Sequence, residues 1–166
     1  MKRFLALGAL ALLVRPAIAD TRSIEFVHTH TGKTIEAAYQ VDGVLVPDVV
    51  ESLNEFLGDH RNGQVIAMDP ALFDLLWELR ERAGVEGPYH LVSGYRSPET
   101  NEMLRKRGRG VAKKSLHMRG QAIDVRLPGV STAKLRDLAR QLGVGGVGYY
   151  KDSDFIHVDT GRVRFW

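Results

Sequence analysis

Two histidines and one aspartate stand where a short turn can bring them to a single point. His117 and Asp124 lie in Ser115-Leu116-His117-Met118-Arg119-Gly120-Gln121-Ala122-Ile123-Asp124, and His157 closes Asp154-Phe155-Ile156-His157. Two imidazoles and a carboxylate are the ligand set of an open catalytic zinc site, in which the fourth position is left to water. Closed structural zinc sites are usually rich in thiolate, and the sequence contains no Cys. The chemistry on offer is therefore metal-assisted hydrolysis.

The spacing constrains how the chain must run. Seven residues of extended strand would hold His117 and Asp124 roughly 23 Å apart, so the backbone has to fold back between them, and Gly120 is the residue that permits it. Beyond the turn, Ala122 to Leu127 alternates, with Ile123, Val125 and Leu127 on one face and Asp124 on the other. Phe155 to Asp159 alternates as well: Ile156 and Val158 face one side, Phe155, His157 and Asp159 the other. Asp159 is thus placed either to orient His157 or to compete with it as a ligand. Asp154 is at odd separation from His157, and the turn Lys151-Asp152-Ser153-Asp154 has to re-aim it if it is to serve as an acid/base group beside the metal.

Ser-x-His-x-x-Gly-x-Ala-x-Asp followed by Asp-x-x-His resembles the zinc D-Ala-D-Ala peptidases. Ser93-Gly94-Tyr95-Arg96-Ser97-Pro98 is similar to their arginine-bearing segment. Gly145-Gly146-Val147-Gly148-Tyr149-Tyr150 and His157-Val158-Asp159-Thr160-Gly161 resemble more narrowly the murein endopeptidase K-like branch. The resemblance implies that His117, Asp124 and His157 hold zinc, that Asp154 is the general base, and that Arg96 contacts substrate or the developing oxyanion. It implies a peptidoglycan endopeptidase that cuts cross-links between stem peptides. A D-Ala-D-Ala carboxypeptidase and a zinc-containing cell-wall binding module without catalysis are the alternatives. Asp152 stands where some carboxypeptidase relatives carry a His.

The elements that must position these groups follow from periodicity. Ser23 to Tyr39 reads as a hairpin turning at Thr31-Gly32-Lys33, and Pro47 to Leu57 as a short helix. Asp69-Pro70 opens a helix through Arg82 with an apolar stripe of Leu72, Phe73, Leu76, Trp77 and Leu79. Tyr89 to Ser93 is a strand delivering Arg96 to a loop, and Ser97-Pro98 caps a helix that ends before Gly108. A basic loop runs from Gly108 to Leu116, and Ser131 caps a helix through Leu142; short strands at 146–150, 155–159 and 163–166 close the chain. This order predicts one α+β domain over residues 20–166, a small, mainly antiparallel sheet carrying the zinc site and flanked by helices. His28 and His30, at strand spacing in the hairpin, are read as packing or hydrogen-bonding residues, since the three ligands already complete a site.

Residues 1–19 read as an export signal: Lys2 and Arg3, an apolar run from Phe4 to Val14, then Ala17-Ile18-Ala19 before a cut ahead of Asp20. The run is short of the ~20 residues of a spanning helix, so a soluble periplasmic monomer is expected. The sequence has 23 basic and 20 acidic residues, and Lys2, Arg3 and Arg15 leave with the signal, which equalises the two. That removes the case for nucleic acid as partner. Arg105, Lys106, Arg107, Arg109, Lys113, Lys114 and Arg119 remain as a basic run without an intervening acid. It is either a solvated helix end and loop or a positive rim suited to the carboxylates of cell-wall peptides.

Overall fold

The computed structural model describes residues 20–108 and 110–166; the export signal read at 1–19 and Arg109 of the basic run lie outside the described residues. The hairpin forms from β1 (Thr21–His28) and β2 (Thr34–Val41), with the two-residue β3 (Val44–Leu45) pairing onto β2. Helix α1 (Pro47–Phe56) starts on its proline, where a missing N–H costs nothing. Helix α2 (Ala71–Ala83) begins one residue later than Pro70, but Asp69 still caps it: Oδ1 accepts from the Ala71 N–H at 3.1 Å. Strand β4 (Tyr89–Ser93) leads into α3 (Pro98–Lys106), capped by Ser97, whose Oγ accepts from the Thr100 N–H. After β5 (Ala122–Arg126) comes α4 (Thr132–Leu142), capped by Ser131, and then β6 (Gly146–Tyr150), β7 (Phe155–Asp159) and β8 (Arg164–Phe165).

Among the described residues the strands form one eight-stranded sheet in the order β3-β2-β1-β4-β5-β7-β6-β8. Two pairings are parallel, β1 with β4 and β6 with β8, and the others are antiparallel. The fold is α+β with a mixed, mainly antiparallel sheet, as the sequence predicts, though the two parallel pairings are not legible in it.

Alternation in the strands sorts the two faces of the sheet. Ile24, Phe26, Leu91, Ile123, Val125, Ile156 and Val158 are fully buried on one face, against Leu72, Phe73, Leu76 and Leu79 of α2 and Leu135 of α4. Burial of each such side chain is worth about 1.5–3 kcal/mol. Polar groups drawn into this layer are paired: Tyr89 donates to the Leu76 carbonyl at 2.8 Å and Tyr39 to Asp74 at 2.9 Å. Asp124 and His157 alternate with the core residues and so project from the opposite face. The core therefore fixes the sheet from one side and leaves the other free for chemistry.

Candidate metal centre

His117 is carried on a single 3-10 turn, Leu116–Arg119. Ser115 opens the turn by accepting from the His117 N–H, and Gly120 closes it in the left-handed region at φ 66°. Any other residue at 120 would be strained there, and its Cβ would lie 2.4 Å from the Ala67 carbonyl oxygen. The reversal leads straight into β5 and brings His117 Nε2 within 3.2 Å of Asp124 Oδ1. Asp124 is in turn the register partner of His157 across β5 and β7. His157 Nδ1 lies 2.9 Å from Asp124 Oδ1 and 3.1 Å from His117 Nε2. Among the described residues, these three side chains, all buried, form the one group of His, Cys, Asp or Glu close enough to share a metal ion.

The outer nitrogens decide what the inner ones can do. His117 Nδ1 donates to the Gly94 carbonyl at 2.7 Å, which leaves Nε2 as a bare lone pair. His157 Nε2 donates to Asp159 Oδ2 at 2.9 Å, which leaves Nδ1 bare when the ring is neutral. Asp159 is thus the orienting partner of His157, not a rival ligand. It is fully buried and also accepts from the Gly146 and Gly161 N–H groups and the Arg164 guanidinium, so its own geometry is fixed. Burial would raise the Asp159 pKa, but these donors hold it well below the usual carboxylate range.

Three acceptors aimed at one point repel each other unless a proton or a cation sits between them. Burial lowers the pKa of His117 and keeps that ring neutral. Burial pulls His157 the same way, but hydrogen bonds to Asp124 and Asp159 outweigh it and hold its pKa at about 9. Burial would raise the Asp124 pKa, yet His117 and His157 overcome it and keep the carboxylate ionised far below its ordinary range. The donor set fits zinc: nitrogen and oxygen ligands without thiolate, with separations close to the ~3.4 Å expected of tetrahedral ligands at about 2.0–2.1 Å from the ion.

Arg96 is buried beside this group, its Nη2 3.3 Å from Asp124 Oδ2 and 3.3 Å from Ser93 Oγ. It holds the second carboxylate oxygen while Oδ1 faces the imidazoles. Asp59 anchors the same corner by accepting from the Ser97 N–H at 3.0 Å. The site opens into a cleft of about 630 Å³ walled by His30, Arg61, Lys114, Ser153, Phe155 and Trp166 among others.

Asp154 is not brought together with His117, Asp124 and His157. The turn before β7 leaves it in the left-handed region at φ 51°, a conformation that Asp tolerates. Its carboxylate accepts from the Thr132 hydroxyl and lies 3.8 Å from Arg126, and its side chain is 65% exposed. Its chain neighbours Ser153 and Phe155 both line the cleft; Asp154 itself does not. Arg105 and Lys106 face Glu102, whereas Lys114 lines the cleft.

His28 is buried, whereas His30 is exposed and walls the cleft, and both have company that sequence spacing did not indicate. His28 Nδ1 accepts from the His30 N–H at 3.1 Å, and the His30 ring stacks on His60 at 4.5 Å.

A family model described as Peptidoglycan L,D-endopeptidase MepK matches residues 16–166. The protein of that name from Escherichia coli (strain K12) is 40% identical over 174 residues, covering 99% of this chain and 96% of the relative. The Shigella flexneri protein of the same name shows the same figures. The chain belongs to the MepK family. A Haemophilus influenzae relative, "Probable peptidoglycan L,D-endopeptidase MepK", is 37% identical over 175 residues, with 99% and 94% coverage. MepK membership bears out the resemblance to the zinc D-Ala-D-Ala peptidases and their murein endopeptidase K-like branch. In this MepK-family chain the metal-competent cluster is formed by the three residues that the sequence reading singled out, His117, Asp124 and His157.

Proposed function

We propose that this protein is a zinc-dependent endopeptidase that hydrolyses peptide cross-links of peptidoglycan, with His117, Asp124 and His157 as the metal ligands. The observation that carries the reading is the convergence of buried His117 Nε2, Asp124 Oδ1 and His157 Nδ1, with the outer ring nitrogens of the two histidines tied to Gly94 and Asp159 so that the inner ones can ligate once His157 gives up its proton. Bound there, zinc would supply a Lewis acid that lowers the pKa of water toward neutrality and polarises a scissile carbonyl.

The surrounding residues have separate tasks. Gly94 and Asp159 hold the two imidazoles in the tautomers that ligate. Arg96 neutralises the outer oxygen of Asp124 and faces the cleft, where it would receive a substrate carboxylate or the developing oxyanion. Asp154 would take the proton of the attacking water and return it to the leaving amine. To do so it must release Thr132 and turn toward the cleft that its two neighbours already line. Asp124 and Asp159 are committed to the imidazoles and to Arg96 or Arg164, so neither is free for this task; the assignment of Asp154 follows the resemblance to the zinc D-Ala-D-Ala peptidases.

Relatives named for an L,D-endopeptidase point to a bond with an L-centre on the acyl side and a D-centre on the amine side. In cross-linked stems that is the direct link between two diaminopimelates; a D-alanine to diaminopimelate link is D,D. Peptidoglycan lies outside the cytoplasmic membrane, and the signal read at residues 1–19 would carry the protein there. No helix among the described residues is long and apolar enough to cross a membrane. Purified muropeptide dimers of both kinds, incubated with the zinc-loaded protein, test the proposal. Conversion of the directly linked dimers to monomers, abolished by a chelator, is expected. Release of free D-alanine with dimers intact would make it a carboxypeptidase, and no change in any muropeptide despite bound zinc would make it a binding module.

A further inference from the structure

Trp166 is the large side chain near the site that ligation and tautomer control leave unexplained. It is 48% exposed and walls the cleft, so it is not there chiefly for burial. It is nevertheless held at every point. Its N–H donates to the Val147 carbonyl at 3.2 Å, its carbonyl accepts from the Tyr149 N–H at 3.0 Å, and its indole N–H donates to the Tyr150 hydroxyl at 3.2 Å. The Arg164 guanidinium stands 5.0 Å from the indole ring.

What the indole packs against is the metal ligand. The His157 and Trp166 ring centroids are 5.2 Å apart at an interplanar angle of 47°. The seat is provided by Gly148, which pairs in register with His157 across β6 and β7. A Cβ on residue 148 would lie 2.7–2.8 Å from indole atoms Cε2, Cζ2 and Nε1, so a side chain there would push the indole away from its place.

His157 has a different duty at each ring nitrogen: Nδ1 faces Asp124 and His117, and Nε2 holds Asp159. Both hydrogen bonds lie near the plane of the ring and resist tilting out of that plane only weakly. A packed aromatic neighbour supplies that resistance. We propose that Trp166, seated by Gly148, is a positioning residue for the metal ligand His157.

The inference rests on the zinc site proposed above, and the experiment separates the two. Zinc affinity is measured by chelator competition for wild type, Trp166→Ala, Trp166→Phe, Gly148→Ala and the Gly148→Ala/Trp166→Phe and Gly148→Ala/Trp166→Ala double variants, with thermal unfolding of each metal-free protein alongside. Trp166→Ala and Gly148→Ala should each lower affinity about tenfold, within the range for partners of metal-ligating groups, and Trp166→Phe should restore most of it. Gly148→Ala/Trp166→Ala should be no weaker than Trp166→Ala alone, because the added methyl then has nothing to displace. Unchanged affinity in Trp166→Ala or in Gly148→Ala, or losses that multiply in Gly148→Ala/Trp166→Ala, would overturn the proposal. If Trp166→Ala does not fold, Gly148→Ala against Gly148→Ala/Trp166→Phe decides: equal affinity to wild type in both rejects it. A wild-type protein that fails to bind zinc would instead reject the zinc site itself.

Discussion

Asp124 and His157 are directly opposed on adjacent antiparallel strands, and Asp124 Oδ1 lies 2.9 Å from His157 Nδ1. The pairing is enforced from the far side of the sheet, where Ile123, Val125, Ile156 and Val158 are fully buried. A one-residue slip of β7 would turn its apolar set out of the core and His157 into it. Hydrophobic register is thus what makes two residues 33 positions apart a reliable pair.

Asp159→Asn tests the outer contact of His157. The amide keeps the shape of the carboxylate but not the charge that holds the Nε2 proton, so zinc affinity should fall about 10- to 100-fold. Equal affinity in a folded variant would reduce Asp159 to a structural anchor for Gly146, Gly161 and Arg164.

Zinc binding should depend on pH through His157. Without metal, Asp124 and Asp159 overcome burial and hold its pKa at about 9, above the ~6.5 of a free imidazole. The ligating nitrogen must lose that proton, so zinc affinity should rise about tenfold per pH unit up to pH 9 and then level off. In the metal-free protein the same raised pKa contributes stability that is fully present below ~6.5 and is lost as pH rises through about 9. Chelator competition and thermal unfolding at pH 6.5, 7.5, 8.5 and 9.5 read both trends. A flat affinity would mean that His157 carries no proton for zinc to displace.

Strand and helix positions were legible wherever a core face imposed a period or a cap marked a start: β5, β7 and α2 lie where alternation or the 3.6-residue stripe puts them, and α4 lies where the Ser131 cap does. The convergence of His117, Asp124 and His157 was legible because the short spacing of His117 and Asp124 requires a reversal that Gly120 permits, and because Asp124 and His157 each alternate with apolar core residues. The orientation of Asp154 was not. It depends on a left-handed residue at the end of a 3-10 turn and on a hydroxyl from Thr132, at the start of α4 and 22 positions away. No local period encodes either. The packing of Trp166 on His157 escaped for the same reason, because it arises from the parallel β6–β8 pairing and a missing side chain at Gly148.

Gly120→Ala should damage site and fold together. The left-handed backbone costs an ordinary residue about 1–2 kcal/mol, and relieving the 2.4 Å approach to Ala67 must move the turn that carries His117. Lower thermal stability together with weakened zinc binding is expected. A variant with unaltered zinc affinity would show that the turn yields elsewhere.

Asp154→Asn should keep zinc and fold while hydrolysis falls by about 10² to 10⁴, the usual share of general acid/base catalysis. Thr132→Val removes the hydroxyl that engages Asp154 and should leave zinc affinity as in wild type. Near-normal turnover by folded Asp154→Asn would remove Asp154 from the mechanism and direct attention to Asp152.

Metal content of the purified protein tests the central claim most directly. Elemental analysis after dialysis against trace zinc should find one zinc per wild-type chain and none retained by folded His117→Ala, Asp124→Ala or His157→Ala. Wild-type stoichiometry in any of the three would contradict the assignment of these side chains as the zinc ligands.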